Sequence, residues 1–140
     1  MKKNVSVDHV MSKDLVTIHH GDPLSKVRQL FTEHSLHHLP VVNGDELVGI
    51  ISWTDLMRLS FGDAFGEDER SVDAVLDHTI TLEDAMTRNP VTIDVNSGVR
   101  EAAQTIAESD FHALPVVKNG TQLVGIVTTT DLLRFLLELY

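Results

Sequence analysis

Leu39-Pro40-Val41-Val42, followed after a short gap by Leu47-Val48-Gly49-Ile50-Ile51-Ser52-Trp53-Thr54-Asp55-Leu56, returns later in the chain. The second copy reads Leu114-Pro115-Val116-Val117, then Leu123-Val124-Gly125-Ile126-Val127-Thr128-Thr129-Thr130-Asp131-Leu132. Upstream, Met11 to Ile18 (Met-Ser-Lys-Asp-Leu-Val-Thr-Ile) pairs with Met86 to Ile93 (Met-Thr-Arg-Asn-Pro-Val-Thr-Ile), and downstream Arg58 pairs with Arg134. An offset of about 75 residues exceeds the roughly 20 to 50 of solenoid repeats. The chain is therefore a doubled supersecondary unit, and two copies are expected to complete one core. The copies span 1–60 and 80–140, with an acidic linker over 61–79.

Each copy reads as strand, helix, strand, strand, helix. Leu15 to Ile18 is a short β-branched strand, and Asp22-Pro23 offers an N-cap and a first-turn proline for the helix after it. That helix carries Leu24, Val27, Leu30 and Phe31 on one face, and its counterpart carries Val99, Ala102, Ala103 and Ile106. Two apolar strands follow, joined by Asn43-Gly44-Asp45 in one copy and Lys118-Asn119-Gly120-Thr121 in the other. Asn-Gly between apolar runs is a strong hairpin signal, and one extra residue at a loop tip is tolerated. Within the linker a short helix is expected over 71–76, and Thr81-Leu82-Glu83-Asp84 predicts a capped helix ending near Met86.

Composition narrows the function classes. With 140 residues and 42% hydrophobic content, one compact domain is the default reading. A net charge of −10 argues against nucleic acid, whose nonspecific binding is carried by Lys and Arg on phosphates. Having no cysteine excludes disulfides, thiolate nucleophiles and thiolate metal sites. Lys2 and Lys3 precede polar residues rather than an apolar run, so no signal peptide is readable and a cytoplasmic protein is expected. The apolar C-terminal run is broken by Arg134 and Glu138, too short to span a bilayer. No nucleophile elbow, Walker loop or dinucleotide fingerprint is present, so no enzyme class has a positive argument.

The repeated pattern, Met-x-x-x-x-Val-Thr-Ile, then an apolar residue before Pro-Val-Val, then Gly-Ile-(Ile/Val)-(Ser/Thr)-x-x-Asp-Leu, resembles the CBS domain family. Two copies in register resemble its tandem arrangement, the Bateman module, from about Val10 to Leu59 and from about Ala85 to Leu137. The resemblance implies an α/β (α+β) fold: two pseudo-twofold-related β-α-β-β-α units forming one module, with clefts for adenosine-containing ligands. AMP, ADP, ATP and S-adenosylmethionine are the ligands it implies. In that picture Asp55 and Asp131 hold ribose hydroxyls, assisted by Ser52 and Thr54, and by Thr128 and Thr130. Thr17-Ile18 and Thr92-Ile93 would supply backbone contacts to adenine, and Pro40 and Pro115 apolar walls. His38 and Ala113 are equivalent cleft positions that differ, as do Trp53 and Thr129, so unequal affinities are expected.

Elementary chemistry supports the same residues. A helix starting just after Ser52 or Thr128 presents free N–H groups and a positive dipole end, a seat for phosphate. A carboxylate repels phosphate but can accept two hydrogen bonds from a sugar diol. The spacings Ser52-x-x-Asp55 and Thr128-x-x-Asp131 are equally those of a helix capping box. Arg58 and Arg134, at i+3 from the aspartates, could pair with them or reach a phosphate. Few cations near the clefts make AMP or ADP the expected ligand over ATP.

Histidines 19, 20, 34, 37, 38 and 112 raise a metal reading, but zinc needs three or four convergent ligands, and His34/His37 would straddle a helix end. His37 and His112 stand at equivalent places beside the clefts. From Leu132 to Tyr140 the chain is apolar on more than one helical face, which predicts packing on a partner, a homodimer. The expected function is a stand-alone adenosine-ligand sensor that requires no cofactor and acts on an unidentified effector protein. A ligand-independent oligomerisation scaffold and a histidine-based metal protein are the alternatives.

Overall fold

The computed structural model describes residues 5–60, 73 and 77–140. Most of the linker, including the helix expected over 71–76, lies outside the described residues. Two compact units emerge, and they do not follow the repeat bounds 1–60 and 80–140. One unit is Val16–Pro90; the other joins Met1–Leu15 to Val91–Tyr140.

In the contiguous unit, β1 (Ile18–His19) runs parallel to β2 (His38–Asn43), with α1 (Leu24–His34) between them in sequence. β2 then turns into antiparallel β3 (Glu46–Ser52), and α2 (Trp53–Ser60) follows directly. A short α3 (Leu82–Ala85) and β4 (Thr87–Arg88) close the unit, β4 pairing antiparallel with β3. The second unit repeats the plan. β5 (Ile93–Asp94) is parallel to β6 (Ala113–Lys118), α4 (Val99–Ala107) lies between them, β6 pairs with β7 (Gln122–Thr128), and α5 (Thr129–Glu138) ends the chain.

The hairpins form where Asn-Gly stands. Gly44 has φ +61° in the first, while Asn119 (φ +55°) and Gly120 (φ +83°) share the longer second turn. These left-handed positions suit Gly and Asn, which pay the least for them. Both hairpins carry the same bulge: Val41 faces Gly49 but Val42 faces Leu47, and Val116 faces Gly125 but Val117 faces Leu123. Val48 and Val124 are the extra residues, and near-continuous apolar runs gave no alternation from which to read them.

Each unit has its own apolar cluster. Ile18, Leu24, Val27, Phe31, Leu39, Val41, Ile51 and Leu56 pack with Leu82 in one; Val7 packs with Ile93, Ala102, Ile106, Leu114, Val116 and Val127 in the other. Leu82 and Val7 come from the stretches preceding the opposite copy, and full burial of such a side chain contributes about 1.5–3 kcal/mol. Two straps thus cross over, one before each copy.

The N-terminal strap is held by backbone: Val7 N donates to Ser97 O (2.7 Å), Val99 N to Val5 O (2.8 Å), and Ser12 N to Ile126 O (2.8 Å). In the other, Thr81 Oγ1 accepts from Asp84 N (3.2 Å), the cap that its sequence predicts, and β4 joins the sheet. Met11 and Met86 lie over Gly125 and Gly49. A Cβ at either glycine would strike the methionine sulfur, which is why these motif positions have no side chain.

Two local expectations differ from the structure. Only Ile18 and His19 pair as a strand, because Leu15 N turns back to Lys13 O (3.0 Å). Pro23, not Asp22, occupies the N-cap of α1; Asp22 Oδ2 accepts from His19 N (3.1 Å). The cap for α1 comes instead from Asp77, whose carboxylate accepts from Ser25 N (3.0 Å) and Ser25 Oγ (2.8 Å), beside an Arg28–Asp73 pair at 2.7 Å. No helix among the described residues is long and apolar enough to cross a membrane.

Candidate functional site

β3 passes into α2, and β7 into α5, with no intervening loop, because the last strand residue of each is also the first helix cap. Asp55 N donates to Ser52 Oγ (3.0 Å) and Ser52 N to Asp55 Oδ2 (3.2 Å). Asp131 N donates to Thr128 Oγ1 (3.1 Å) and Thr128 N to Asp131 Oδ2 (2.9 Å). Both aspartates therefore sit in complete capping boxes. Each box engages one carboxylate oxygen and leaves acceptor capacity on the other.

The free oxygens meet different neighbours. Asp55 Oδ1 faces Arg58 Nη1 at 3.8 Å, the arginine being largely exposed, so the pair is a weak surface contact. Asp131 Oδ1 receives Ser12 Oγ at 3.5 Å, a long hydrogen bond from the N-terminal strap, and among the described residues Arg134 has no ion-pair partner. Ser12 escaped the sequence reading, although the repeat aligns it with another hydroxyl, Thr87. Thr54 and Thr130 stand exposed on the first turns of their helices.

Strand register decides which remaining residues can share this place. His38 pairs with Ser52 and Pro40 with Ile50, on the face opposite Leu39, Val41 and Ile51, which are buried in the core. Ile18 pairs with Val41 and is 2% exposed, so its side chain belongs to the core, while the preceding Thr17 falls on the His38–Pro40 face. In the second unit, Ala113 pairs with Thr128 and Pro115 with Ile126. Ile93 is core at 5% exposure, and Thr92 falls on the Ala113–Pro115 face. Pro40 and Pro115 thus stand two strand positions from the residues that pair with Ser52 and Thr128, and Ile18 and Ile93 offer only their backbones.

The carbonyls of His37 and His112 fasten the helix starts: His37 O accepts from Trp53 N, and His112 O from Thr129 N, each at 2.9 Å. Trp53 packs edge-on to Phe31, ring centroids 5.7 Å apart. The helix end between His34 and His37 is present, with Ser35 left-handed at φ +52°. Among the described residues no three His, Asp or Glu side chains converge as a metal site.

A duplicated β-α-β-β-α unit with a Ser/Thr-x-x-Asp box at the head of its last helix is the plan of the CBS domain, and residues 7–62 and 82–138 each match that family. The chain belongs to the CBS domain family as a tandem pair. It is 36% identical to a CBS domain-containing protein of Dictyostelium discoideum, over 96% of this chain and 92% of that one.

The CBS domain pair of protein MJ0100, solved in complex with 5′-methylthioadenosine and S-adenosyl-L-methionine, superposes with TM-score 0.78 at 26% identity, covering 99% of this chain and all of that one. CBSX2 of Arabidopsis thaliana, solved in complex with AMP, shares the fold at TM-score 0.80 and 24% identity, over 96% and 98% of the two chains. The chain spans about half or less of other curated relatives, among them an inosine-5′-monophosphate dehydrogenase of Korarchaeum cryptofilum, of which it covers 22%.

Proposed function

We propose that this chain is a regulatory module that binds an adenosine-containing ligand, AMP or ADP before ATP or S-adenosylmethionine, and relays occupancy to a partner protein in the cytoplasm. The observation that carries the reading is the twice-built corner in which an aspartate with a spare carboxylate oxygen heads a helix beside the hydroxyl that ends the preceding strand. A carboxylate there suits a ribose diol, and the first-turn N–H groups and hydroxyls suit a phosphate. The adenosine ligands bound by the MJ0100 pair and by CBSX2 support the same class. No reaction is assigned to the chain.

Thermal unfolding with AMP, ADP, ATP, S-adenosylmethionine, 5′-methylthioadenosine and divalent metals tests this. A ligand at 100 times its Kd stabilises by about 2.7 kcal/mol and raises the midpoint by roughly 3–6 °C. Trp53 is the sole tryptophan and stands at the head of α2, so a fluorescence change tied to that shift locates ligand in the Val16–Pro90 unit. A flat adenosine series sinks the sensor reading, and a shift with metal alone revives the histidines.

The relay is proposed to run through a homodimer. Leu133, Leu136, Leu137 and Tyr140 form an i, i+3, i+4, i+7 stripe on α5 and its end, 55%, 46%, 74% and 97% exposed. Leu132, on another face, is half-buried and packs against the core of its unit. A self-complementary stripe of this kind is what a twofold interface uses. Leu133→Glu with Leu137→Glu is expected to convert the dimer to monomer in sedimentation velocity without unfolding it; a monomeric native chain refutes the proposal. The same stripe favours the second reading, a scaffold that assembles without ligand, which dimerisation with a flat ligand panel would select.

A further inference from the structure

Each strap carries a hydroxyl opposite the strand residue that stands two before a capping box, and one of these hydroxyls reaches the aspartate. Ser12 exchanges both backbone hydrogen bonds with Ile126, Ser12 N donating to Ile126 O (2.8 Å) and Ile126 N to Ser12 O (3.1 Å). That pairing fixes Ser12 two residues short of the cap Thr128, and its side chain, exposed, lies with Oγ 3.5 Å from Asp131 Oδ1. Thr87 stands opposite Ile50, two residues short of the cap Ser52. There Asp55 Oδ1 faces the exposed Arg58 guanidinium at 3.8 Å instead, so the serine–aspartate pair belongs to one corner.

We propose that Ser12 is a positioning residue of the adenosine-ligand site at Asp131, where its hydroxyl and the carboxylate together hold one hydroxyl of the ribose. The proposal rests on the adenosine-sensor reading and adds to it a residue that belongs to neither repeated motif of the second copy.

The distance carries the argument. A hydroxyl bound directly to a carboxylate normally stands about 2.5–2.7 Å away, so 3.5 Å is a loose contact. Two oxygens at that separation can both be reached by a third at about 2.7 Å from each. A sugar hydroxyl is such a group, because it donates one hydrogen and also accepts. Asp131, when ionised, only accepts, and its Oδ2 is already engaged by Thr128 N at 2.9 Å, so Oδ1 takes the ligand's hydrogen. Ser12 Oγ, turned away from the carboxylate, donates to the same ligand oxygen. The ribose hydroxyl is then satisfied in both directions, which the carboxylate alone does not achieve. Two backbone hydrogen bonds hold the serine in place, so little order is lost when ligand arrives.

Titration calorimetry on the full chain carrying Asp55→Asn, so that binding reports the Asp131 corner, tests this with two probes: AMP and 2′,3′-dideoxyadenosine monophosphate. Adding Ser12→Ala is expected to weaken AMP about three- to tenfold, the range of one hydrogen bond between uncharged partners, and to leave the dideoxy compound unchanged. Ser12→Thr keeps a hydroxyl at the position and should restore AMP affinity. Equal weakening of both probes would make Ser12 a support of the strap only, and overturns the proposal. So does unchanged AMP affinity in Ser12→Ala, or AMP binding that disappears with Asp55→Asn alone; both leave the sensor reading standing. A native chain that binds no adenosine ligand sinks that reading and the role of Ser12 with it.

Discussion

Replacing Gly49 by alanine destabilises the protein by about 1–3 kcal/mol, the usual cost of overpacking a filled site. The sign is what makes the result informative. Alanine at a glycine whose backbone suits it ordinarily stabilises by about 0.4–1 kcal/mol, by restricting the unfolded chain. At Gly49 the new methyl would lie 2.9 Å from Thr87 O and against the Met86 sulfur. A methionine can swing away, but the Thr87 carbonyl belongs to β4 and can retreat only by disturbing its pairing with β3.

At Gly125 every close atom belongs to the Met11 side chain, the nearest besides the sulfur being Cγ at 2.9 Å. Gly125→Ala should therefore cost less, and Met11→Ala should rescue it more fully than Met86→Ala rescues Gly49→Ala. Denaturant unfolding of the single and double variants checks this. If Gly49→Ala proves neutral or stabilising, the close approach of the strap is wrong.

Asp55→Asn and Asp131→Asn are expected to weaken adenosine-ligand binding by about 10- to 100-fold at the unit that carries the change. A hydrogen bond to a charged partner contributes about 1.5–3 kcal/mol, so losing the carboxylate charge at the diol reaches that range. Asparagine is the informative replacement because its side-chain oxygen can still accept the N–H of Ser52 or Thr128. The capping box keeps its shape, and stability should change by less than about 1 kcal/mol. Titration calorimetry, with Trp53 fluorescence assigning the unit, distinguishes the cases. Unchanged affinity in both variants would leave the aspartates as helix caps alone.

Much of this was legible in the sequence because it is local and written twice. The helix starts at Trp53 and Thr129 follow from strands that end in a capping residue, and the hairpins from Asn-Gly. The straps were not legible. Val7 and Leu82 are single apolar residues in short stretches, with no periodicity to say which core receives them. Nor could spacing find Asp77 as the cap of α1 from 52 residues away.

Around the two capping boxes, side-chain orientations could not be read from the sequence. Ile18 and Ile93 turn their side chains inward through strand alternation that two-residue strands barely display. Arg58 and Arg134 have identical spacing from their aspartates and different surroundings, since Ser12 reaches Asp131 from a segment far away in sequence.

The crossing of the straps also bears on how such a chain could arise and be divided. A lone copy, cut at the repeat boundary, would carry a strap fitted to a different copy and lack the one that fits itself. Two lone copies could satisfy each other only by exchange, each lending its strap to its neighbour, as in a domain-swapped dimer. The tandem chain is that exchange made covalent. A cut between Leu15 and Val16, with Tyr140 joined to Met1, would leave each unit continuous, whereas dividing the chain into two pieces at the linker parts both cores from their closures.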